Sequence, residues 1–482
     1  MSYRAHLPST IYHLFHLILR SIKSHQYEKT AASKLQETLS SAQLLARRTH
    51  YRPALKLLRN ARKRATEREA HSELLDIIDL ETQLFMHTQD RDLLTTIDAQ
   101  EAAMLSALDA HRIEIRLAAL RARHQALRKT RPELRDANHA ARMRAILEDP
   151  LLAPYNVPTS FRAALDYNHI HGHQALLERD FERALNHFEA AYQGWKSRPD
   201  AVESTPSAYI RFLTRYLSAC MYAKHWNRAD EIISKLQAVD IRSPEDEITL
   251  LHHAFYTQLI YCLNVGQYEM GCELLERLDP LLKTHQYSIP PARKISFYYN
   301  ATILHFLHED YRRSLNWLNR IINLPKSDLR QHLRDFTRIF QLILHHELGN
   351  HDLVEYLLRS TYRHYKGKRK AQNKSDFEQE LLSKLKNLLM TFDKTEFRDL
   401  ADQLYRELWQ VAQQPKGKEP AGLYELIFWL QSKSEGRSLR AVYAQRVQER
   451  MELVAEKARG VDADRIRELE EREKGPNAEE DE

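Results

Sequence analysis

Histidine is the residue type most able to carry chemistry in this chain, with 25 imidazoles in 482 residues. The densest group is His169-Ile170-His171-Gly172-His173. On a helix, His169 and His173 share a face one turn apart while His171 points away. Two imidazoles fall short of the ligand set of a structural zinc, so the group reads as groove or surface histidines. His346-Glu347-Leu348-Gly349-Asn350-His351 is one residue longer than the H-E-x-x-H of zinc proteases. That chemistry needs both imidazoles on one continuous helix, and Gly349-Asn350 reads as a turn. Cys220, Cys262 and Cys272 include no C-x-x-C pair, which argues against a disulfide framework or zinc site and for a reducing compartment. No acid pair, Ser/His/Asp set or Cys/His set stands apart from scattered surface residues. The expectation is a non-enzyme with no catalytic residue, cofactor or metal.

Phosphate chemistry is the next to consider. The net charge of +6 conceals an asymmetry: residues 1–64 hold thirteen Lys and Arg against Glu28 and Glu37. Within that head, Arg47, Arg48, Arg52, Lys56, Arg59, Arg62, Lys63 and Arg64 can neutralise phosphates. No helix-turn-helix, zinc-finger or RNP-type motif accompanies them. A solvated helical face is the plainer reading, and binding of nucleic acid or an acidic surface is the alternative. The chain ends in an acidic stretch from Glu468 onward.

These groups must be positioned by helices. Glycine is scarce, 11 in all, which removes most phosphate-cradling loops and nucleophile elbows. No period-two alternation suggests strands, and good helix formers dominate. One pattern recurs: aromatic, small residue three on, large apolar residue four further, small or apolar residue three further. It reads Phe181, Ala184, Phe188, Ala191; Trp226, Ala229, Ile233, Leu236; Tyr268, Gly271, Leu275, Leu278; and Tyr311, Ser314, Leu318, Ile321. The leading aromatics are 45, 42 and 43 residues apart. Tyr51, Ala54, Leu58, Ala61 is an earlier copy, and His351, Val354, Leu358, Thr361 a weaker last one. Such a period predicts an all-α stacked array of helix pairs.

Turns are expected at Glu178–Asp180, Lys224-His225, Val265–Gln267, His308–Asp310 and Leu348–Asn350. Two degenerate repeats are expected to turn near Gln89–Arg91 and Pro132. Ser243-Pro244 reads as a capped helix start, Arg359–Lys374 as a basic loop, and Gln414–Pro420 as a linker. An amphipathic helix over Ile11–Ile22 is expected to cap the first repeat, with a membrane-surface role as the alternative. The chain then divides into four regions: 1–157, basic with degenerate repeats; 158–365, the repeat core; 366–460, further helices; and 461–482, a charged tail. No signal peptide and no run of 18 apolar residues is legible, so a soluble cytoplasmic protein is expected.

The recurring pattern resembles the tetratricopeptide repeat (TPR). Asn168–Ala191 matches best, with Gly172 in the place of the first-helix glycine. The C-terminal segment Phe428–Lys433 resembles that of uncharacterised bacterial proteins with TPR-like repeats. The period of 40–45 exceeds the family's 34, so longer helices or connections are expected. The resemblance implies a right-handed α-solenoid of antiparallel helix pairs with extra C-terminal helices. It also implies a non-catalytic scaffold that binds a protein or peptide in its concave groove. First-helix residues line such a groove, and the matching positions include His169, His173, Arg211, Tyr256, Tyr299 and Phe336. Arg211 is the only cation in that set, which argues against a clamp for a C-terminal carboxylate.

Overall fold

The computed structural model describes residues 7–26, 31–88, 93–128, 137–325, 331–372, 377–413 and 422–459. Among these, every regular element is helical and there is no strand. The chain divides into two compact units, 1–209 and 210–482.

The first unit contains α1 (Leu7–Gln26), α2 (Ala31–Arg47), α3 (Tyr51–Glu67), α4 (His71–Phe85), α5 (Leu93–Arg128), α6 (Ala137–Leu147), α7 (Phe161–Leu177), α8 (Phe181–Ser197) and α9 (Pro199–Ser204). The boundary falls within α10 (Pro206–Tyr222). The second unit continues with α11 (Trp226–Gln237), α12 (Pro244–Thr249), α13 (Phe255–Val265), α14 (Tyr268–Thr284), α15 (Pro291–Leu307) and α16 (Tyr311–Ile322). It ends with α17 (Gln331–Glu347), α18 (His351–Gln372), α19 (Phe377–Met390), α20 (Lys394–Ala412), α21 (Leu423–Glu435) and α22 (Leu439–Arg459). A π-helical turn, Leu250–Ala254, joins α12 to α13.

Seven hairpin turns use one backbone solution. Thr49, Glu69, Arg179, Lys224, Gly266, Glu309 and Gly349 have φ between 51° and 75°. Each lies two residues before the start of the next helix. The residue after it donates its N–H five positions back, as in His50 to Leu45, Asp180 to Ala175 and Asn350 to His345, at 2.9–3.0 Å. This is the Schellman arrangement, which satisfies the last carbonyls of one helix while reversing the chain. The five turns expected from sequence are all present. The turn at Glu69 lies outside the repeat pattern, because Leu74 and Glu81 stand where the pattern places a small residue and a small or apolar one. The turns expected near Gln89–Arg91 and Pro132 lie outside the described residues, as does the Gln414–Pro420 linker.

The repeat pattern records which side chains the paired helix covers. At its small position Ala54, Ala184, Ala229, Ser314 and Val354 are at most 1 % exposed. Leu58, Phe188, Ile233, Leu275, Leu318 and Leu358 are buried at the large position. A methyl group on Gly172 would stand 3.1 Å from Phe188 Cε2, so the first-helix glycine sets how closely α7 and α8 approach. On Gly271 it would meet Leu304 Cδ2 at 2.6 Å, which explains the glycine where other copies have alanine or serine.

Two expectations are corrected. Residues Arg359–Gln372 continue α18 rather than forming a basic loop, since nothing before Gly367 interrupts the helical pattern. Helices beyond 365 pack into one apolar cluster with earlier ones: Leu385, Leu404 and Trp429 join Phe306 and Phe340. The first helix is not covered as a cap should be. Its Ile11, Leu14, Phe15 and Ile18 are 49–58 % exposed.

This packing has two measurable consequences. Ala184→Leu overpacks the α7–α8 contact and costs about 1–3 kcal/mol; an unchanged urea midpoint and slope would contradict the contact. Gly349 has φ 75° with nothing within 4 Å of where a β-carbon would stand, whereas exposed Arg179 has φ 59°. Gly349→Ala is therefore expected to destabilise, and Arg179→Gly to stabilise, each by about 1 kcal/mol in denaturant titrations.

Candidate functional site

The histidines occupy packed positions. His169 and His173 have ring centroids 4.4 Å apart, while His171 on the other side stacks on His187 at 5.0 Å. His173 is 7 % exposed and packs edge-on against Phe188. It therefore does not line an open groove, because the close α7–α8 approach at Gly172 encloses it. Burial pushes His187 down to about 4, helped by the neighbouring His171 and Arg183. Among the described residues, no group of three or more His, Cys, Asp or Glu side chains is arranged to hold a metal.

His346 and His351 flank the turn at Gly349, with ring centroids 5.6 Å apart. Glu347 between them is committed elsewhere. Its carboxylate accepts from Trp429 Nε1 at 2.8 Å and Lys433 Nζ at 2.9 Å. Two residues of the Phe428–Lys433 motif thus anchor α21 to α17. Trp429 is fully buried. The motif is a packing device.

The remaining groove candidates belong to the second unit and separate into two groups. Phe336 is 5 % exposed and Tyr299 packs against the same apolar cluster. Burial raises the Tyr299 hydroxyl well above its ordinary value. Phe336 is enclosed, whereas Tyr299 is half-buried against the cluster that α15 and α17 share with the C-terminal helices. Gly422 lies so close to Phe336 that even a methyl group would collide with the ring.

Arg211 and Tyr256 remain partly exposed, and the structure adds partners to them. Arg211 and Arg215 are one turn apart on α10. The Arg293 guanidinium, from the first turn of α15, lies 5.6 Å from the Tyr256 ring centroid. His253 sits in the π-helical turn and feels all three arginines. Burial first, then Arg215, Arg293 and Arg211, push it down to about 4. The first helices of three successive pairs thereby contribute to one electropositive surface. Sequence reasoning found one cation here. It missed Arg215 and Arg293, because their approach to His253 arises between separate helices and spacing within one helix does not encode it. A helix start interrupted by two adjacent histidines was the available signal, since π turns recur at functional sites.

The basic residues of the first unit are also sorted by the fold. Arg47, Arg48, Arg52, Lys56, Arg59, Lys63 and Arg64 are exposed. Arg62 turns inward, donating to Glu81 Oε2 at 2.8 Å and Gln100 Oε1 at 2.6 Å. Arg59, Arg62 and Lys63 border a cleft of about 440 Å³ completed by Thr66, Glu67, Glu81, Phe85 and Gln100.

No family model matches the chain, and no match was found among curated proteins or among solved structures. The class is defined by the fold itself: an all-helical protein whose helices pack in adjacent hairpin pairs. No helix among the described residues is long and apolar enough to cross a membrane.

Burial gives the protein a pH dependence. His187, His253, His305 and His308 are each pushed to about 4, chiefly by burial. Unfolding returns them to about 6.5. The unfolded chain then binds more protons, so stability is complete above about 6.5 and falls as pH drops toward 4. His305, 3 % exposed and hydrogen-bonded to Tyr268 at 3.1 Å, is the clearest contributor. His305→Gln should make the loss between pH 7 and pH 5 shallower by about 1–2 kcal/mol. Identical urea-midpoint profiles for the two proteins would contradict this.

Proposed function

We propose that this chain is a non-catalytic interaction scaffold whose helix pairs stack as a TPR-like solenoid. Its second unit takes an acidic segment of a partner protein against Arg211, Arg215 and Arg293. The observation that carries this reading is the convergence of three guanidiniums and Tyr256 from successive first helices. Guanidiniums bind carboxylates with charge-assisted, directional hydrogen bonds. Tyrosine and arginine dominate interface energetics where they are held in place. The Arg293–Tyr256 contact holds both, which reduces the ordering cost on binding. His253 stays neutral beside them and adds hydrogen-bonding capacity without further charge. The reading supports a partner rich in Asp or Glu, or one presenting a terminal carboxylate. A reducing, cytoplasmic setting accords with three free cysteines, of which Cys220 and Cys262 are buried.

Selection of a random peptide display library on the full chain tests this. Enriched sequences should carry Asp, Glu or a required free C-terminus. Their affinity should fall more than about tenfold in Arg211→Ala combined with Arg293→Ala. Enrichment of neutral or basic sequences, or affinity unchanged by the double substitution, would remove the proposal.

A further inference from the structure

The exposed cations of the first unit form a row. Arg52, Lys56, Arg59 and Lys63 lie at spacings of four, three and four on α3, which places them within about 60° of one another around the axis. The row extends about 16 Å. The opposite face, with Ala54, Leu55, Leu58, Ala61 and Ala65, is buried. That packing fixes the direction in which the row points. Residues 51–66 contain no acid. The nearest on the same helix is Glu67, 4.0 Å from Lys63.

The row ends at the cleft bordered by Arg59, Lys63 and Phe85. Its floor is polar and built. Glu81, 1 % exposed, is held through one oxygen by Arg62 and by Gln100 Nε2 at 3.3 Å. Its second oxygen takes no hydrogen bond among the described residues, so one acceptor remains at the base of the cleft. At the other end of the row, Tyr51 stacks on His87, with centroids 4.7 Å apart and planes 14° apart. Cations in line, flanked by aromatic faces, are what an unpaired strand needs: phosphate neutralisation along its backbone and stacking for its bases. A duplex keeps its base edges inside, whereas a cleft of this size accepts one unstacked base.

We propose that this face binds single-stranded nucleic acid, with phosphates along Arg52, Lys56, Arg59 and Lys63 and one base in the cleft against Phe85. Glu81 accepts a hydrogen bond from that base's exocyclic amino group, as carboxylates do from cytosine N4. Cytosine therefore fits and thymine, which presents a carbonyl there, does not. The site is separate from the arginine surface of the second unit and does not depend on the reading given for it.

The test uses the full chain and fluorescein-labelled oligodeoxycytidylate and oligothymidylate of about a dozen nucleotides, followed by anisotropy across a salt series. The expected log–log salt slope is about −3 for four phosphates on a single strand. Arg59→Glu with Lys63→Glu should lower affinity at least about tenfold and roughly halve the slope. Arg52→Glu with Lys56→Glu is a second variant that leaves the cleft intact; it should lower affinity while retaining the preference for cytosine. Both pairs lie on the exposed face, and thermal melts monitor their folding. Oligodeoxycytidylate should bind several-fold tighter than oligothymidylate. Absence of binding at low salt, equal affinity for the two oligonucleotides, or insensitivity to both charge reversals would overturn the proposal. Displacement by polyglutamate as effective as by an oligonucleotide of equal charge would also overturn it, pointing to an acidic polypeptide instead.

Discussion

The close approach of two antiparallel helices at one small residue is the constraint on which the hairpin pairs depend. It operates at Ala54, Ala184, Ala229, Gly271 and Ser314, all buried beneath the partner helix. A large side chain there would push the helices apart and open voids around Leu58, Phe188 and Ile233. The αL turn enforces the approach, because its six-residue hydrogen-bonded loop returns the chain in a fixed register. Five of the seven turns hold a non-glycine residue with positive φ. Strain of about 1 kcal/mol at each is offset by the packing it makes possible.

Two buried polar residues show how these packed pairs accommodate polarity. Ser314 donates to Thr302 O at 2.8 Å across the helix pair, so it serves where alanine stands in other copies. Glu347 is neutralised by Lys433 and capped by Trp429, which ties helices distant in sequence into one core. His187, His253, His305 and His308 are kept neutral chiefly because the folded chain withholds water from them. These four imidazoles act as packing groups whose charge appears on unfolding. Histidine abundance in the sequence is thus a poor guide to metal or acid–base chemistry.

Charge is distributed differently in the two units. On α3 the cations stand outward in a row because the apolar face beneath is continuous. In the second unit, three arginines from two helices converge around His253, where the helix departs from regular geometry. A π turn inserts one residue and rotates the remainder of the helix by about 100°. Tyr256 follows this turn and lies beside Arg293, while Phe336, on a later first helix, faces the interior.

Periodicity alone determined the helical class, the positions of five turns and the buried face of each second helix. The reason is that these depend on local hydrogen bonding and on one repeating contact, both written at fixed spacing. The turn at Glu69 was hidden, since the helix after it, with Leu74 and Glu81, does not carry the repeating pattern that marks the others. The fates of His173, Tyr299 and Phe336 belonged to tertiary structure. A first-helix residue lines a groove only if nothing else packs on it, and α19–α22 return to cover the later helix pairs. The same holds for the sites: residue types announced a basic head, but only the fold separated Arg62, turned inward to Glu81, from Arg59 and Lys63, turned outward beside the cleft. Burial and convergence arise between segments far apart in the chain, and spacing within one segment does not encode them.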